Sequence, residues 1–117
     1  MICTRVSEPY DDITDTTACP DCGNAGHLRP HVVWVGEEPL RIATVYEALA
    51  HCRLLLLIGL PGHTEPTAGF IADARRAGAR TIEFNRDLSP NAELFDERFA
   101  GPIAETVPNY VKQLVAT

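Results

Sequence analysis

The amino-acid sequence predicts an α/β fold, in which a parallel sheet with flanking helices follows a small, loop-rich module. The first observation is the apolar run Leu54–Ile58, closed by Gly59, which is typical of a parallel strand buried on both faces. The second is the alternation of strand and helix patterns along the chain, the order found in right-handed parallel crossovers. The third is a polar stretch before residue 28, which has too few apolar groups for a core of its own.

The first elements are assigned from hydrophobic periodicity and from the residues that interrupt it. His31–Trp34 predicts a short strand, which a Gly-Glu-Glu-Pro segment ends. Apolar side chains at helical spacing then predict an amphipathic helix over residues 40–51. We expect a second helix around Phe70–Ala77, with Gly78 as its C-terminal cap.

The remaining elements complete the layered pattern. Arg80–Asn85 predicts a further strand, with Ile82 and Phe84 on one side of it. A last helix is predicted from Pro108, because proline is favoured in the first turn. Its inner stripe is predicted to be Val107, Val111 and Leu114.

Composition limits the classes of function. Sixteen acidic and ten basic residues give a formal charge of −6, so no basic stripe is present to attract nucleic acid or anionic membranes. The longest apolar run is far too short to span a bilayer, and the N-terminal pattern predicts no secretion signal. The spacing of the four cysteines fits a reduced compartment better than a disulfide scaffold, so we expect the cytoplasm.

A cysteine pair marks the N-terminal module as a candidate metal site. Cys19 and Cys22 lie two residues apart and are followed by Gly23, a loop that can point two thiolates at one Zn²⁺ ion. His27 lies within reach of a loop that folds back. The alternative is a decayed zinc knuckle, that is, a cysteine loop that binds no metal or binds it weakly. Cys52 is predicted to be a buried core thiol.

Five segments occur in an order that resembles one known family. They are Cys19–Gly23, Leu28–Glu37, Ile58–Pro66, Thr81–Asn85 and Gly101–Pro108. This series resembles the sirtuins, the NAD-dependent protein deacylases, and especially their bacterial branch. The resemblance covers almost the whole chain.

The resemblance implies two parts of the chain. Residues 1–27 would be a degenerate, zinc-ribbon-like module, and residues 28–117 the C-terminal part of a Rossmann-like NAD-binding domain. By the same resemblance, Cys3 is the third zinc ligand and the fourth falls at Val6, which cannot bind metal. His27 is then the residue expected to complete a Cys₃His set.

A NAD site is implied at the carboxyl ends of the strands, where open parallel sheets bind ligands. Gly59 would let the backbone approach the cofactor, while the Thr and Ser of the family are replaced by Leu60 and Pro61. The same resemblance assigns the adenosine part of NAD to Asn85, Arg86, Asp87 and Ile103. The alternative for Asn85 is a turn-forming residue at a strand end.

The resemblance also implies a site for an acyl-lysine protein or peptide, bound as an added strand between two segments. The first segment is Val35, Gly36 and Glu37, and the second contains Thr64 and Glu65. Val35 replaces an aromatic wall of the lysine tunnel. The alternative for Glu37 is a solvated turn before a helix, where a carboxylate is favourable in any case.

The implied activity is NAD-dependent deacetylation or deacylation of protein lysine. The Gly-Ala-Gly loop and the general-base histidine of the family match no segment of these 117 residues, so no catalytic residue is assigned. Because general-base catalysis needs that group within hydrogen-bond reach, we expect the lone chain to be truncated and inactive. The alternative is a non-catalytic, sirtuin-like remnant or binding module. An N-terminal complementing chain or a second copy is expected to cover the open sheet.

Overall fold

The structure is a computed structural model that describes residues 3–116. The chain forms two compact units, Met1–Leu40 and Arg41–Thr117. The predicted division after residue 27 is one of sequence motifs and stays a prediction. Within the described residues, no helix has both the length and the apolar character needed to cross a membrane.

The first unit consists of turns and bends. An antiparallel bridge between Ala18 and Ala25 closes the cysteine loop. The predicted strand at His31–Trp34 is wrong, because this segment bends and its Val32 N–H donates to the carbonyl of Pro30 over 2.9 Å. An extended segment needs a neighbouring strand to satisfy its backbone groups, and residues 31–34 pair with none in the described part of the chain.

The second unit contains the regular structure. Its elements in order are α1 (Ile42–Ala50), β1 (Leu54–Ile58), α2 (Thr67–Arg76), β2 (Arg80–Asn85), a 3₁₀ turn (Ala92–Leu94), β3 (Glu97–Ala100) and α3 (Ile103–Ala116). Both β1 and β2 have the predicted bounds, and α1 and α2 lie where helices were predicted.

The three strands form a parallel sheet in the order β1-β2-β3. In register, Leu54 lies opposite Arg80, and Ile82 lies opposite Glu97. The predicted α/β fold, a partial Rossmann-like parallel sheet with flanking helices, is therefore confirmed. Since all three strands run the same way, their carboxyl ends meet at one edge of the sheet.

The central strand β2 carries a different chemistry on each face. As predicted, Ile82 and Phe84 share one face, where they pack against Tyr110 of α3. The alternate positions Thr81 and Glu83 are polar yet fully buried. The α2 side of the sheet has its own apolar cluster of Leu57, Ile71 and Phe95. Burying a polar group costs free energy unless it is hydrogen-bonded, so Thr81 and Glu83 require partners.

Two elements differ from the prediction. Strand β3 was missed because its charged residues, Glu97 and Arg98, hide the apolar pattern. Helix α3 begins at Ile103 rather than at Pro108, which lies inside it without an N–H for the carbonyl of Ala104. Ala104 and Pro108 are both exposed, so water can donate a hydrogen bond to the Ala104 carbonyl.

The inner stripe of α3 also differs from the prediction. Tyr110 is buried and Val107 packs beside it, whereas Val111 and Leu114 are 40% and 43% exposed. The contact of α3 with the sheet is therefore made by Val107 and Tyr110 in the middle of the helix.

Candidate functional site

The carboxyl edge of the sheet brings together several of the predicted cofactor residues. The Gly59 N–H donates to the Phe84 carbonyl over 2.9 Å, which joins the ends of β1 and β2. A Cβ atom placed on Gly59 would lie 3.6 Å from Cδ1 of Ile103, at the start of α3. Gly59 has a φ of 69°, a conformation that favours glycine over other residues. The end of β1, the end of β2 and the start of α3 therefore share one edge.

Asn85 is fixed in this edge by both hydrogens of its side-chain amide. Its Nδ2 donates to the carbonyl of Leu60 over 2.7 Å and to Oε1 of Glu83 over 2.9 Å. Both partners are acceptors, so the amide orientation is defined and Oδ1 is the side-chain atom left to accept a further bond. Pro61 is exposed beside Leu60. The structure thus brings together Gly59, Leu60, Pro61, Asn85 and Ile103.

Arg86 and Asp87 lie in an exposed bend directly after β2. No hydrogen bond or ion pair within the described residues fixes either side chain. Their predicted role near the ribose stays a prediction.

Beneath the edge lies a buried polar cluster that the sequence analysis missed. We define the Glu83 cluster as Glu83, Asn85, Ser89 and Arg98. Arg98 Nε donates to Glu83 Oε2 over 2.9 Å, and the backbone N–H and the hydroxyl of Ser89 both donate to Oε1. Arg98 also donates to the carbonyl of Ser89. An acidic residue between Ile82 and Phe84, in the middle of a predicted buried strand, is the signal that would have revealed this cluster.

Glu83 remains a carboxylate despite its burial. Burial by itself raises the pKa of Glu83, but hydrogen bonds from Ser89, Asn85 and Arg98 outweigh it and hold the pKa below its ordinary value. A buried charge with a paired cation and several donors is the arrangement that proteins tolerate. Glu83 is therefore a fixed carboxylate next to the strand ends, and Arg98 neutralises its charge within the cluster.

The cluster is connected to the loop after β1 through Ser89. The Gly62 N–H donates to Ser89 Oγ over 2.8 Å, and Asn91 Nδ2 donates to the Gly62 carbonyl over 2.8 Å. A Cβ atom on Gly62 would lie 2.8 Å from Cζ of Phe95 and 3.0 Å from Ser89 Oγ, so the site accepts only glycine without rearrangement. The loop that follows β1 is consequently anchored by side chains that follow β2.

The second predicted substrate segment continues this loop. Thr64 Oγ1 donates to the Pro61 carbonyl over 3.3 Å, and Glu65 Oε2 accepts the Gly69 N–H over 3.3 Å. Gly69 is the third residue of α2, so Glu65 caps that helix and lies where the helix dipole favours a negative charge. Thr64 and Glu65 are both exposed, and their contact with a substrate stays a prediction.

The first predicted substrate segment is a tight turn in the first unit. The Glu37 N–H donates to the Trp34 carbonyl over 3.0 Å, and Gly36 has the positive φ of 85° that suits glycine at the third turn position. Val35 is fully exposed at the tip. The side chain of Glu37 binds Arg29, with Nη2 to Oε1 at 2.7 Å. These hydrogen bonds from Arg29, assisted by the Trp34 N–H, lower the pKa of Glu37.

The first unit also brings three cysteines together. The Sγ atoms of Cys3, Cys19 and Cys22 all lie within 4.8 Å of one another. Bonds of about 2.3 Å to one tetrahedral Zn²⁺ place sulfur atoms about 3.8 Å apart, so this set fits the metal after a small movement. His27 is exposed and does not belong to the group in the described residues, so its role as fourth ligand stays a prediction.

The thiols of this group differ in acidity. Backbone N–H groups of Cys22 and Asp21 lower the pKa of Cys19. The Arg5 N–H acts to lower the pKa of Cys3, but desolvation and the neighbouring thiols outweigh it and the pKa is raised. Closely spaced thiolates repel each other, so ionisation of the whole group requires a cation.

Known proteins are similar to this chain over most of its length. A NAD-dependent protein deacylase of Caulobacter vibrioides is 45% identical over 100 residues, which are 86% of this chain. A NAD-dependent protein deacylase of Escherichia coli K12 is 39% identical over 116 residues, which are 97% of this chain. The chain spans 42% of the length of each of these relatives. No family model matches.

Solved structures share the fold. The structure of Sir2Af2 bound to a myristoylated histone peptide superposes with a TM-score of 0.67 at 28% identity. The match covers 86% of this chain and 44% of that one. The predicted resemblance to the sirtuins is thus confirmed both in sequence and in fold, because this chain is similar to part of NAD-dependent protein deacylases and of Sir2 structures.

Proposed function

We propose that these 117 residues form the zinc module and part of the NAD-binding domain of a NAD-dependent protein-lysine deacylase. The observation that carries the proposal is the joined sheet edge, where Asn85 Nδ2 donates to the Leu60 carbonyl over 2.7 Å. Gly59 keeps this edge open to the close approach of a ligand backbone or pyrophosphate. The names of the two relatives support NAD as the cofactor.

Direct binding tests the cofactor assignment. Titration of the ¹⁵N-labelled chain with NAD or ADP-ribose is expected to shift the amide signals of Gly59 and Gly101, which lie at the ends of β1 and β3. Asn85→Ala removes the side chain that joins the two strand ends and is expected to weaken binding about tenfold. Asn109→Ala is the matched control, because Asn109 is exposed on α3. Absence of any saturable shift at millimolar NAD contradicts the proposal.

The proposed substrate is an acyl-lysine peptide, and the resemblance implies that Val35–Glu37 and, separately, Thr64 and Glu65 bind it. The turn at Val35–Glu37 supports this role, because its tip is exposed and leaves backbone groups for a peptide to pair with. Binding of an acetyl-lysine peptide, measured with NAD present, is expected to exceed binding of the unmodified peptide. Equal affinity for the two peptides would argue against this substrate.

The proposed metal is Zn²⁺ held by Cys3, Cys19 and Cys22, with His27 as the fourth ligand. Metal analysis is expected to find one equivalent of zinc per chain and to find none in Cys19→Ser. Cys52→Ser is the control, because Cys52 packs against the core of the second unit and donates to the Leu54 carbonyl. A metal-free parent chain would favour the alternative of a decayed knuckle.

The second candidate function is a non-catalytic binding module. Leu60 is 52% exposed at the sheet edge, and Pro61 beside it has no N–H, so the loop offers fewer donors to a cofactor than Thr and Ser would. We infer that the lone chain releases no nicotinamide from NAD and an acyl-lysine peptide. Activity then requires a complementing polypeptide that supplies the general base, because a second copy of these 117 residues lacks it as well. Release of nicotinamide by the lone, purified chain would contradict this inference. The four free thiols support the cytoplasm as its compartment.

A further inference from the structure

The loop that follows β1, residues 59–62, has lost the hydroxyl groups that the resemblance places at Leu60 and Pro61. Even so, side chains that end or follow β2 bind three of its backbone groups: the Leu60 carbonyl, the Gly62 N–H and the Gly62 carbonyl. The donors and acceptors at these points are the side chains of Asn85, Ser89 and Asn91. All three follow or end β2 rather than β1.

Two of these three side chains depend on one carboxylate. Glu83 Oε1 accepts both the hydroxyl of Ser89 and the amide of Asn85, the latter over 2.9 Å. Because the Ser89 hydroxyl gives its only hydrogen to Glu83, its oxygen is free to accept the Gly62 N–H over 2.8 Å. Because one amide hydrogen of Asn85 is bound to Glu83, the other is directed at the Leu60 carbonyl.

The Glu83 side chain cannot change its partners easily. It is fully buried, and Arg98 occupies its second oxygen at 2.9 Å. The carboxylate is therefore a fixed acceptor that sets which way both neighbours point. Ser89 itself is 5% exposed, so water does not replace either of its bonds.

We propose that Glu83 and Ser89 are positioning residues that hold the 59–62 loop in its ligand-ready shape. Neither side chain touches the ligand in this proposal; Glu83 acts through Ser89 and Asn85 on the backbone of the loop. The consequence for binding rests on the proposed NAD site, whereas the consequence for the loop does not.

Amide hydrogen exchange tests the effect on the loop without any ligand. In Ser89→Ala, the Gly62 N–H loses its acceptor, and we expect it to exchange about tenfold faster than in the parent chain. Thr81→Val is the matched control. Thr81 has a buried hydroxyl on the same strand as Glu83, but this hydroxyl donates to the Leu94 carbonyl over 2.6 Å, and none of its hydrogen bonds within the described residues reaches the loop. In Thr81→Val, the Gly62 N–H is expected to exchange at the parent rate, once the change in global stability of this variant is corrected for.

ADP-ribose affinity is the second measurement. Ser89→Ala is expected to weaken ADP-ribose binding about tenfold, while Thr81→Val leaves it within twofold. Equal acceleration of Gly62 exchange in the two variants, once corrected for their global stability, would overturn the proposal. Unchanged ADP-ribose affinity in Ser89→Ala, with faster Gly62 exchange, would overturn its ligand part. If no form of the chain binds ADP-ribose, the proposed function fails, and Gly62 exchange still decides the role of Ser89.

Discussion

Replacement of Arg98 by methionine tests whether the buried ion pair with Glu83 stabilises the fold. Arg98 Nε is 2.9 Å from Glu83 Oε2, and the side chains are 21% and 0% exposed. Methionine keeps much of the length of Arg98 but leaves Oε2 without this donor. Removing one partner of a buried pair costs roughly 3–5 kcal/mol. We expect a loss of about 3 kcal/mol, the lower end of that range, because Ser89 and Asn85 still donate to the other oxygen.

A second ion pair between the same two strands provides the control. Arg80 Nη2 is 2.6 Å from Glu97 Oε2, but these side chains are 59% and 43% exposed. Although this distance is shorter, solvent screens the pair, and Arg80→Met is expected to cost less than about 1 kcal/mol. The measurement is the free energy of unfolding in urea at pH 7, followed by circular dichroism. Equal losses in the two variants would refute the argument that burial decides the strength of these pairs.

The pH dependence gives an independent check of the same pair. The pKa of Glu83 is lowered in the folded chain, so its contribution to stability is complete above the ordinary glutamate pKa and is lost as the pH falls through the lowered value. In Arg98→Met, burial is opposed by fewer donors and the pKa of Glu83 rises. The difference between parent and variant should therefore be largest at pH 7 and smaller near pH 4. A difference that grows on acidification would contradict this sign.

Two further predictions concern the loops. Replacing Leu60 by Thr and Pro61 by Ser restores two hydroxyl groups and one N–H, so NAD affinity, measured by calorimetry, should rise roughly tenfold to a few hundredfold. An unchanged affinity would show that these atoms do not face the cofactor. Arg29→Met removes the cation that lies 5.6 Å over the ring of Trp34, and the fluorescence maximum of this single tryptophan should shift. Glu38→Gln, a neighbouring exposed carboxylate, should leave the spectrum as it is.

Much of the sheet was predictable because its signals are local. The apolar run Leu54–Ile58 predicts a strand that is buried on both faces. Gly59 and Gly78 both have a positive φ, which ends β1 and α2. The alternation of Ile82 and Phe84 likewise predicted which side chains of β2 share a face. Local patterns of this kind depend on period and on backbone conformation, not on distant partners.

The errors occurred where a distant partner decides the outcome. Residues 31–34 have the composition of a strand, but no neighbour in the described residues pairs with them. β3 has an unfavourable composition, yet it forms because its Arg98 meets Glu83 fifteen positions earlier in the chain. Pro108 is tolerated inside α3 because it and Ala104, whose carbonyl it leaves without a donor, are both exposed to solvent.

The sequence by itself determined the parallel α/β layering, the ends of β1 and β2 and the three cysteines that gather in the first unit. Only the tertiary structure decided that Glu83 is buried as a charge, and that Ser89 and Asn85 connect it to the loop after β1. The physical reason is that a carboxylate can be buried only when donors from other segments reach it. The packing of the whole unit places these donors, and no periodic pattern in the sequence predicts them.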